Sequence, residues 1–542
     1  MAPTMRSTTA GSAPIQAEAE SELRIWNQRG APGINETGLI LACCAAGAAK
    51  AIEPPFWIFV PPGAELFNAG WSDIRFLTSI SAIIAVVFLL AGGLLGDIYG
   101  RRRLLLLGLL ATIVANTSLL FSPSVGFHIF WRAVAIVAGA FVMPLALAPL
   151  YVFFRGAQQA RAFAWYIVVT TVAMLLASRQ GRVFVTAFDW HIAYLVPAVI
   201  GIIALGLVWK YLPEQRVQGT NHIHAVGHSG WALIVLALVF GVLEATVAQG
   251  WLTIILAGTF VVFLIGVIIM FCWNVKAADT IVGMTSIRTR DVTVLIITGV
   301  VIQIVLMGVY YPTWDFYQIV QGRGGWGTLL AIVPLGIGML VATVMVVKLL
   351  HARAIGQSIA LGLLVAAGAV TVLAINPLSM PYVIQALALF VLGMTILATK
   401  TVWTNGFFQT LMGEYVGLNA AMHGATLQIG SAIGAVLSTQ MLIRFGWSDL
   451  NDRLIAQLLS PEQVATLLRQ LVLIILHRIP LEVDLMSAIL LQGYRAAFAT
   501  GYTLTMLVLA GIALLTALVI AVGVQRSLRF RKGGVAASAM LD

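Results

Sequence analysis

Long apolar stretches recur along the chain and are separated by short polar segments rich in glycine and arginine. Most stretches hold about 20 residues, the length that an α-helix needs to cross the hydrocarbon core of a bilayer. A helix satisfies its backbone hydrogen bonds internally, so it is the expected conformation of such stretches in lipid. The pattern predicts fourteen transmembrane helices, at 38–62, 76–96, 104–122, 126–149, 163–185, 191–211, 230–248, 251–273, 292–312, 327–349, 357–375, 381–399, 418–442 and 501–524.

The composition supports a membrane protein and excludes other classes. Of the 542 residues, 60% are hydrophobic and 10% are charged, and the mean hydropathy is +0.97. A soluble domain has about 25% charged residues, and it could not cover this much apolar surface. A soluble enzyme, a nucleic-acid-binding protein and a disordered regulator are therefore excluded. We expect an all-α membrane protein without a cofactor or a metal site.

The distribution of the basic residues predicts the orientation, because cytoplasmic loops are enriched in Lys and Arg. With the N-terminus inside and fourteen alternating helices, 20 basic residues lie inside and 9 lie outside. Lys400 counts among the inside residues, in the loop after segment 381–399. Both termini are therefore expected in the cytoplasm, and the protein in the plasma (inner) membrane.

The segments fall into groups along the chain. An even number of helices keeps the basic C-terminus inside, and an amphipathic helix on the outer face is expected in the longest loop. The predicted parts are a disordered cytoplasmic tail (1–36), an N-terminal six-helix bundle (38–212), an inserted helix pair (230–273), a C-terminal six-helix bundle (291–524) that includes the outer loop 443–500, and a basic cytoplasmic tail (525–542).

The sharpest local motif is the segment GLLGDIYGRRR, which begins at Gly93 and joins the second and third helices. Glycines such as Gly100 allow a tight turn and a close approach of helices. Asp97 can pair with the arginines that follow it, Arg101 and Arg102. The alternative is a basic loop that only fixes the orientation.

This segment resembles the signature loop of the major facilitator superfamily. The arrangement of six, two and six helices resembles its fourteen-helix branch, the drug:proton antiporters, and the likeness covers about residues 38–524. The resemblance implies a transporter of two six-helix bundles and not an enzyme. It also implies that the loop locks the two halves together on the cytoplasmic side, through Asp97 and Arg101.

Two buried positions are candidates for proton coupling. Glu53, followed nine residues later by Pro62, is similar to the first-helix motif of the superfamily, with Glu in place of Asp. A carboxyl group at membrane depth is costly when charged and can exchange a proton. Arg132 resembles the arginine that helps to relay protons in the family. Lys50 lies one turn from Glu53, so a structural ion pair is the alternative.

Further candidates lie elsewhere in the chain. Glu244, within segment 230–248, could serve in proton coupling, although an interhelical hydrogen bond is the alternative. Aromatic residues around one carboxylate suit an amphipathic or cationic organic substrate, although aromatic side chains also form belts at membrane interfaces. The candidate substrate-binding residues are Trp57, Tyr310, Tyr311, Trp314 and Asp315.

The resemblance implies proton-coupled efflux of small amphipathic or cationic compounds by alternating access. The proline- and glycine-containing stretch of antiporters is missing from 170–181, so coupled uptake of an organic solute stays open. A membrane sensor of the same fold, without transport, is a second alternative. The expected partners are a small-molecule substrate, protons and the lipid bilayer, with the protein as a monomer and no nucleic acid.

Overall fold

The described part of the computed structural model contains twelve α-helices, a short 3-10 helix (Trp190–Tyr194) and a short π-helix (Phe316–Val320). It describes residues 35–53, 85, 88–187, 190–215, 265, 290–352, 355–375, 377–410, 416–456 and 485–523. The helices are α1 (Glu36–Ala51), α2 (Phe88–Tyr99), α3 (Arg101–Leu119), α4 (Val125–Phe153), α5 (Gly156–Ala187), α6 (Leu195–Tyr211), α7 (Arg290–Asp315), α8 (Gly325–Ala352), α9 (Ile355–Ala374), α10 (Tyr382–Thr410), α11 (Val416–Ala456) and α12 (Leu485–Gly523).

These helices correspond to twelve of the fourteen predicted segments. Ten of them, all except α1 and α2, are long and apolar enough to cross a membrane. The other two segments, 230–248 and 251–273, lie outside the described residues except for position 265. The all-helical class is confirmed, and the number fourteen stays a prediction.

The helices pack as two groups of six. In the N-terminal group α1 contacts α4, α5 and α6, and α3 contacts α4 and α6. In the C-terminal group α7 contacts α10, α11 and α12, while α9 contacts α10 and α12 and α8 contacts α10. The two groups meet where α4 packs on α11 and where α5 packs on α8 and α10. Helices α4, α5, α8, α10 and α11 therefore border the interface between the halves.

Local sequence sets several helix ends. The side chain of Asn35 accepts a hydrogen bond of 2.9 Å from the backbone N–H of Gly38, which caps α1. Gly100 alone joins α2 to α3, and its φ of 110° is a conformation that side chains with a Cβ rarely adopt. The side of the bundle with this turn is called the Gly100 face, and the side with the α3–α4 connection is called the opposite face.

Large side chains divide between an apolar exterior and an aromatic interior. Helix α12 exposes Leu515, Leu518, Val519 and Val522, and such apolar surface suits contact with lipid. The interior is filled with large aromatic residues, which dominate buried area. The largest fully buried side chains include Trp314, Trp403, Tyr194, Tyr317 and Tyr502.

Helix α10 runs eleven residues beyond the predicted segment 381–399. The side chains of Thr401, Thr404 and Asn405 donate to carbonyls one turn earlier, at 2.9, 2.8 and 3.0 Å, so these polar residues fit inside a buried helix. Lys400 consequently lies within the helix and is only 5% exposed. Its assignment to an inside loop was wrong.

Helices α11 and α12 also exceed their predicted segments. Residues 443–456 and 485–500, which were expected in the outer loop, are helical. The amphipathic helix expected in this loop falls in 457–484, outside the described residues.

Candidate functional site

Glu53, just beyond the end of α1, is buried beside two cations and one amide. Nζ of Lys50 lies 2.5 Å from Oε2 of Glu53, and Nη1 of Arg132 lies 3.5 Å from the same oxygen. The amide of Asn116 donates to Oε1 over 3.3 Å and to the carbonyl of Thr112 over 2.8 Å. One carboxylate therefore joins α1, α3 and α4, and the predicted coupling residues Glu53, Lys50 and Arg132 lie together.

The cluster carries two cations and one carboxylate. A buried charge is stable only when partners compensate for the water it has lost. Within the described residues, Nε and Nη1 of Arg132 make no hydrogen bond, so the guanidinium acts on Glu53 mainly through its charge. If Glu53 took up a proton, Lys50 and Arg132 would be left close together without a counter-charge. The protonation of Glu53 is thus coupled to the arrangement of both cations.

Polar side chains continue from Arg132 toward the opposite face. His128, one turn away on α4, is fully buried. Its ring nitrogens lie 3.3 Å from the hydroxyl of Ser122 and 3.3 Å from that of Tyr194. Sequence reasoning missed these residues and Asn116, because single polar residues in apolar segments give no signal of their contacts.

Asp97 connects the two halves on the Gly100 face. It is fully buried and accepts a hydrogen bond of 2.7 Å from Nε of Arg101. Its two carboxylate oxygens also accept the backbone N–H groups of Gly417 and Leu418, at 2.9 and 3.0 Å. These N–H groups belong to the first turn of α11, where a helix favours negative charge. A side chain of the N-terminal half thus caps a helix of the C-terminal half.

Glycines bring α2 and α11 together at this contact. A Cβ on Gly93 would meet the backbone carbonyl of Gly417 and the side chain of Ala421. A Cβ on Gly417 would lie 2.5 Å from Oδ1 of Asp97. Both glycines are therefore required by the close approach of the two helices.

The arginines of the motif bind the segment that follows α6. Nη1 of Arg101 donates to the side chain of Gln215 over 3.1 Å, and Arg102 donates to the carbonyl of Trp209 over 2.6 Å. The carboxylate of Glu214 accepts the backbone N–H of Arg102 and lies against Gly100. Glu214 and Gln215 were not predicted, although an acidic residue just after segment 191–211 was a usable signal.

An aromatic contact adds to the closure of the Gly100 face. Phe408, near the end of α10, stacks on Tyr151 of α4 with 5.2 Å between ring centroids. It also stacks on Phe163 of α5 at 5.4 Å. One ring of the C-terminal half and two rings of the N-terminal half therefore pack together across the interface.

The aromatic residues of α7 make a contact toward the opposite face. The hydroxyl of Tyr310 donates over 2.5 Å to the carbonyl of Leu175 on α5, which crosses between the halves. Trp314 packs beside Tyr310 with 6.3 Å between ring centroids and is 1% exposed. Tyr311 and Asp315 are half-buried. Trp57 and Glu244 lie outside the described residues.

The profile of the Major Facilitator Superfamily matches residues 38–435, about three quarters of the chain. This chain belongs to the major facilitator superfamily. It is an integral, multi-pass membrane transporter for a small-molecule substrate and not an enzyme. Within the described ranges, no group of three or more His, Cys, Asp or Glu side chains could hold a metal.

Characterised relatives are distant. Multidrug efflux pump LfrA of Mycolicibacterium smegmatis is 24% identical over 473 residues, which cover 86% of this chain and 92% of LfrA. Multidrug transporter protein MdtP of Bacillus subtilis is 22% identical over 407 residues, 74% of each chain. The crystal structure of the human organic anion transporter MFSD10 (TETRAN) matches with a TM-score of 0.55 and 11% identity, over 90% of this chain and 99% of that one. This last likeness supports the fold alone.

Proposed function

We propose that this transporter exports small amphipathic compounds and is driven by the inward flow of protons. It would belong to the fourteen-helix drug:proton antiporter branch, act as a monomer and have both termini in the cytoplasm, with the Gly100 face inside. Support comes from the names of two distant relatives, the multidrug efflux pump LfrA and the multidrug transporter protein MdtP.

The observation that carries proton coupling is the cluster of Glu53, Lys50 and Arg132. A proton arriving at Glu53 cancels its charge and releases both cations, which then repel each other. Lys50 on α1, Glu53 just beyond its end and Arg132 on α4 all belong to the N-terminal half, and α4 packs on α11 of the other half. Proton uptake and release would therefore change the packing of this half. Glu244 stays a further candidate for the same role.

Alternating access requires contacts that close one side of the bundle while the other opens. On the Gly100 face this role falls to Asp97 with the first turn of α11, and to the stack around Phe408. Toward the opposite face it falls to Tyr310 and Leu175. In this proposal Tyr311, Trp314 and Asp315, which follow Tyr310 on α7, take part in binding the substrate next to the Tyr310–Leu175 contact, and Trp57 stays a predicted substrate-binding residue.

Reconstituted protein tests proton coupling. Liposomes hold a pH-sensitive dye, and ethidium, rhodamine 6G or fluorescein is supplied as a gradient. We expect substrate-dependent proton movement in the wild type and a loss of about tenfold or more in Glu53→Gln. Protons and substrate should move in opposite directions, and movement in the same direction would mean uptake.

A matched control separates coupling from general damage. Arg103 pairs with Glu214 over 3.5 Å, but its side chain is 75% exposed and both partners belong to the same half. Arg103→Gln should therefore keep the proton movement of the wild type. If Glu53→Gln moves as many protons as Arg103→Gln, the proposed role of Glu53 is wrong.

A further inference from the structure

Lys400 is a cation in the interior of the bundle that the proton-coupling proposal does not use. It lies in α10, ten residues or about 15 Å from the helix end at Thr410. Its side chain reaches across to the other half, where Nζ donates to Oγ1 of Thr171 on α5 over 3.2 Å. Lys400 therefore lies at the interface where the two halves move against each other.

This ammonium group lacks a counter-charge among the described residues. The carboxylate of Glu53 is taken by Lys50 and Arg132, and that of Asp97 by Arg101. An ammonium has three N–H donors, and Thr171 accepts only one of them. Holding a charge in an apolar interior is costly when no ion compensates it. Such residues within membrane spans therefore mark binding sites or ion pathways.

Aromatic rings follow Lys400 along α10, on the side of the C-terminal half. Trp403 and Phe407, both fully buried, lie one and two turns further on α10. The ring of His423 on α11 stacks on Trp403 with 4.7 Å between centroids, and its Nε2 lies 3.0 Å from the hydroxyl of Thr404. A cation beside such rings suits a ligand that combines an aromatic body with a negative charge.

Contacts between the halves enclose this position from both sides. Leu175, whose carbonyl accepts the hydroxyl of Tyr310, lies one turn beyond Thr171 toward the opposite face. Phe408, which stacks on Tyr151 and Phe163, lies two turns beyond Lys400 toward the Gly100 face. Lys400 is thus at the middle depth, where a rocking transporter binds its substrate.

We infer that Lys400 binds the anionic group of an amphipathic aromatic substrate, a carboxylate or a sulfonate, at the interface of α5 and α10. This inference rests on the proposed export of amphipathic compounds and specifies their charge. It assigns substrate charge recognition to Lys400 and not to Asp315, which would favour a cation. The negative group of the substrate would serve as the counter-charge of the ammonium, so that binding compensates the buried charge.

Equilibrium binding to the purified full chain tests this site without any gradient. The probes are naphthalene-2-sulfonate, the neutral naphthalene-2-sulfonamide and the cation trimethyl-2-naphthylammonium, which share one ring system. We expect the wild type to bind the sulfonate most tightly. Lys400→Met should weaken sulfonate binding by about tenfold or more and leave sulfonamide binding unchanged, whereas Lys400→Arg should preserve the preference for the anion.

The controls keep folding, binding and coupling apart. Lys210→Met removes an exposed lysine at the end of α6 and should change none of the three affinities. Normal sulfonamide binding shows that Lys400→Met is folded. The order of the three affinities in the wild type tests the inference without any substitution. The inference is overturned if the wild type binds the cation or the amide as tightly as the sulfonate, or if Lys400→Met binds the sulfonate normally. Loss of proton coupling with intact sulfonate binding would overturn only the proposed function.

Discussion

Glu53 compensates two cations with a single carboxylate, so the three residues depend on one another. Lys50 and Arg132 both approach Oε2, and Asn116 approaches Oε1. Removing one member of a buried ionic group leaves the others without compensation, which costs about 3–5 kcal/mol. If the three residues depend on one another, a second substitution that removes a cation should restore part of the stability lost when Glu53 is replaced.

Glu53→Gln should lower the midpoint of thermal unfolding in detergent, by an amount that corresponds to about 3 kcal/mol. The physical reason is that Lys50 and Arg132 then face each other as like charges. The double variant Lys50→Met/Glu53→Gln removes one of these charges and should recover part of the loss. Tryptophan fluorescence during heating measures both. A double variant that is no more stable than the single one would show that the cations do not repel each other.

The cluster could be predicted only in part from the sequence. Glu53 follows Lys50 by three residues, so helical spacing alone brings them together. Arg132 is distant in the chain, and its place beside Glu53 was suggested by the family resemblance. Asn116 and His128 had no comparable signal, because their partners are decided by how α1, α3, α4 and α6 pack.

Helix α11 meets α2 at Gly417 and Gly424, and the two positions differ in the space that they leave for a larger side chain. At Gly417 an added Cβ would lie 2.5 Å from the carboxylate of Asp97 and 2.5 Å from the carbonyl of Gly93. At Gly424 it would lie 3.1 Å from the tip of Leu89, a flexible side chain. The same substitution should therefore separate the helices at one position and be accommodated at the other.

Gly417→Ala should open the Gly100 face, whereas Gly424→Ala should not. Leu418→Cys, in a background whose three native cysteines are replaced by alanine, serves as the reporter, because this side chain is 3% exposed and its backbone N–H still binds Asp97. The rate of labelling with a membrane-impermeant maleimide should rise about tenfold in Gly417→Ala. Equal rates in both alanine variants would contradict a steric role for Gly417.

The helices themselves could be predicted from hydropathy, but their ends could not. Hydropathy places the end of α10 before Lys400, because charged and polar residues follow. The helix continues because Thr401, Thr404 and Asn405 bond to its own carbonyls and the rest of the bundle covers them. The buried position of Lys400 depends on this continuation, which a single segment does not encode.

For the molecule as a whole, the two halves touch on both sides of Lys400. Asp97 holds α11 on the Gly100 face, and Tyr310 holds α5 toward the opposite face. If the protein alternates between two open forms, weakening one contact shifts the population toward the form that lacks it. The two contacts should therefore respond in opposite directions to substitution.

Distances between spin labels on exposed residues can measure this response. One pair, Gln158 and Gln357, lies at the Gly100 face, and another, Phe121 and Ser379, lies at the opposite face, with one residue of each pair in each half. The Asp97→Asn variant has only one side-chain oxygen to accept the two backbone N–H groups of α11. It also lacks the ion pair with Arg101. The first distance should lengthen and the second should shorten.

Tyr310→Phe should produce the reverse pattern, since it removes only the hydrogen bond to Leu175 at the other side. The expected change is smaller, because one neutral hydrogen bond contributes about 1 kcal/mol. Arg103→Gln, which breaks an exposed ion pair within the N-terminal half, should leave both distances as in the wild type. If Asp97→Asn and Tyr310→Phe lengthened both distances together, the halves would be loosening as a whole. The two contacts would then be structural supports and not opposed gates of one rocking motion.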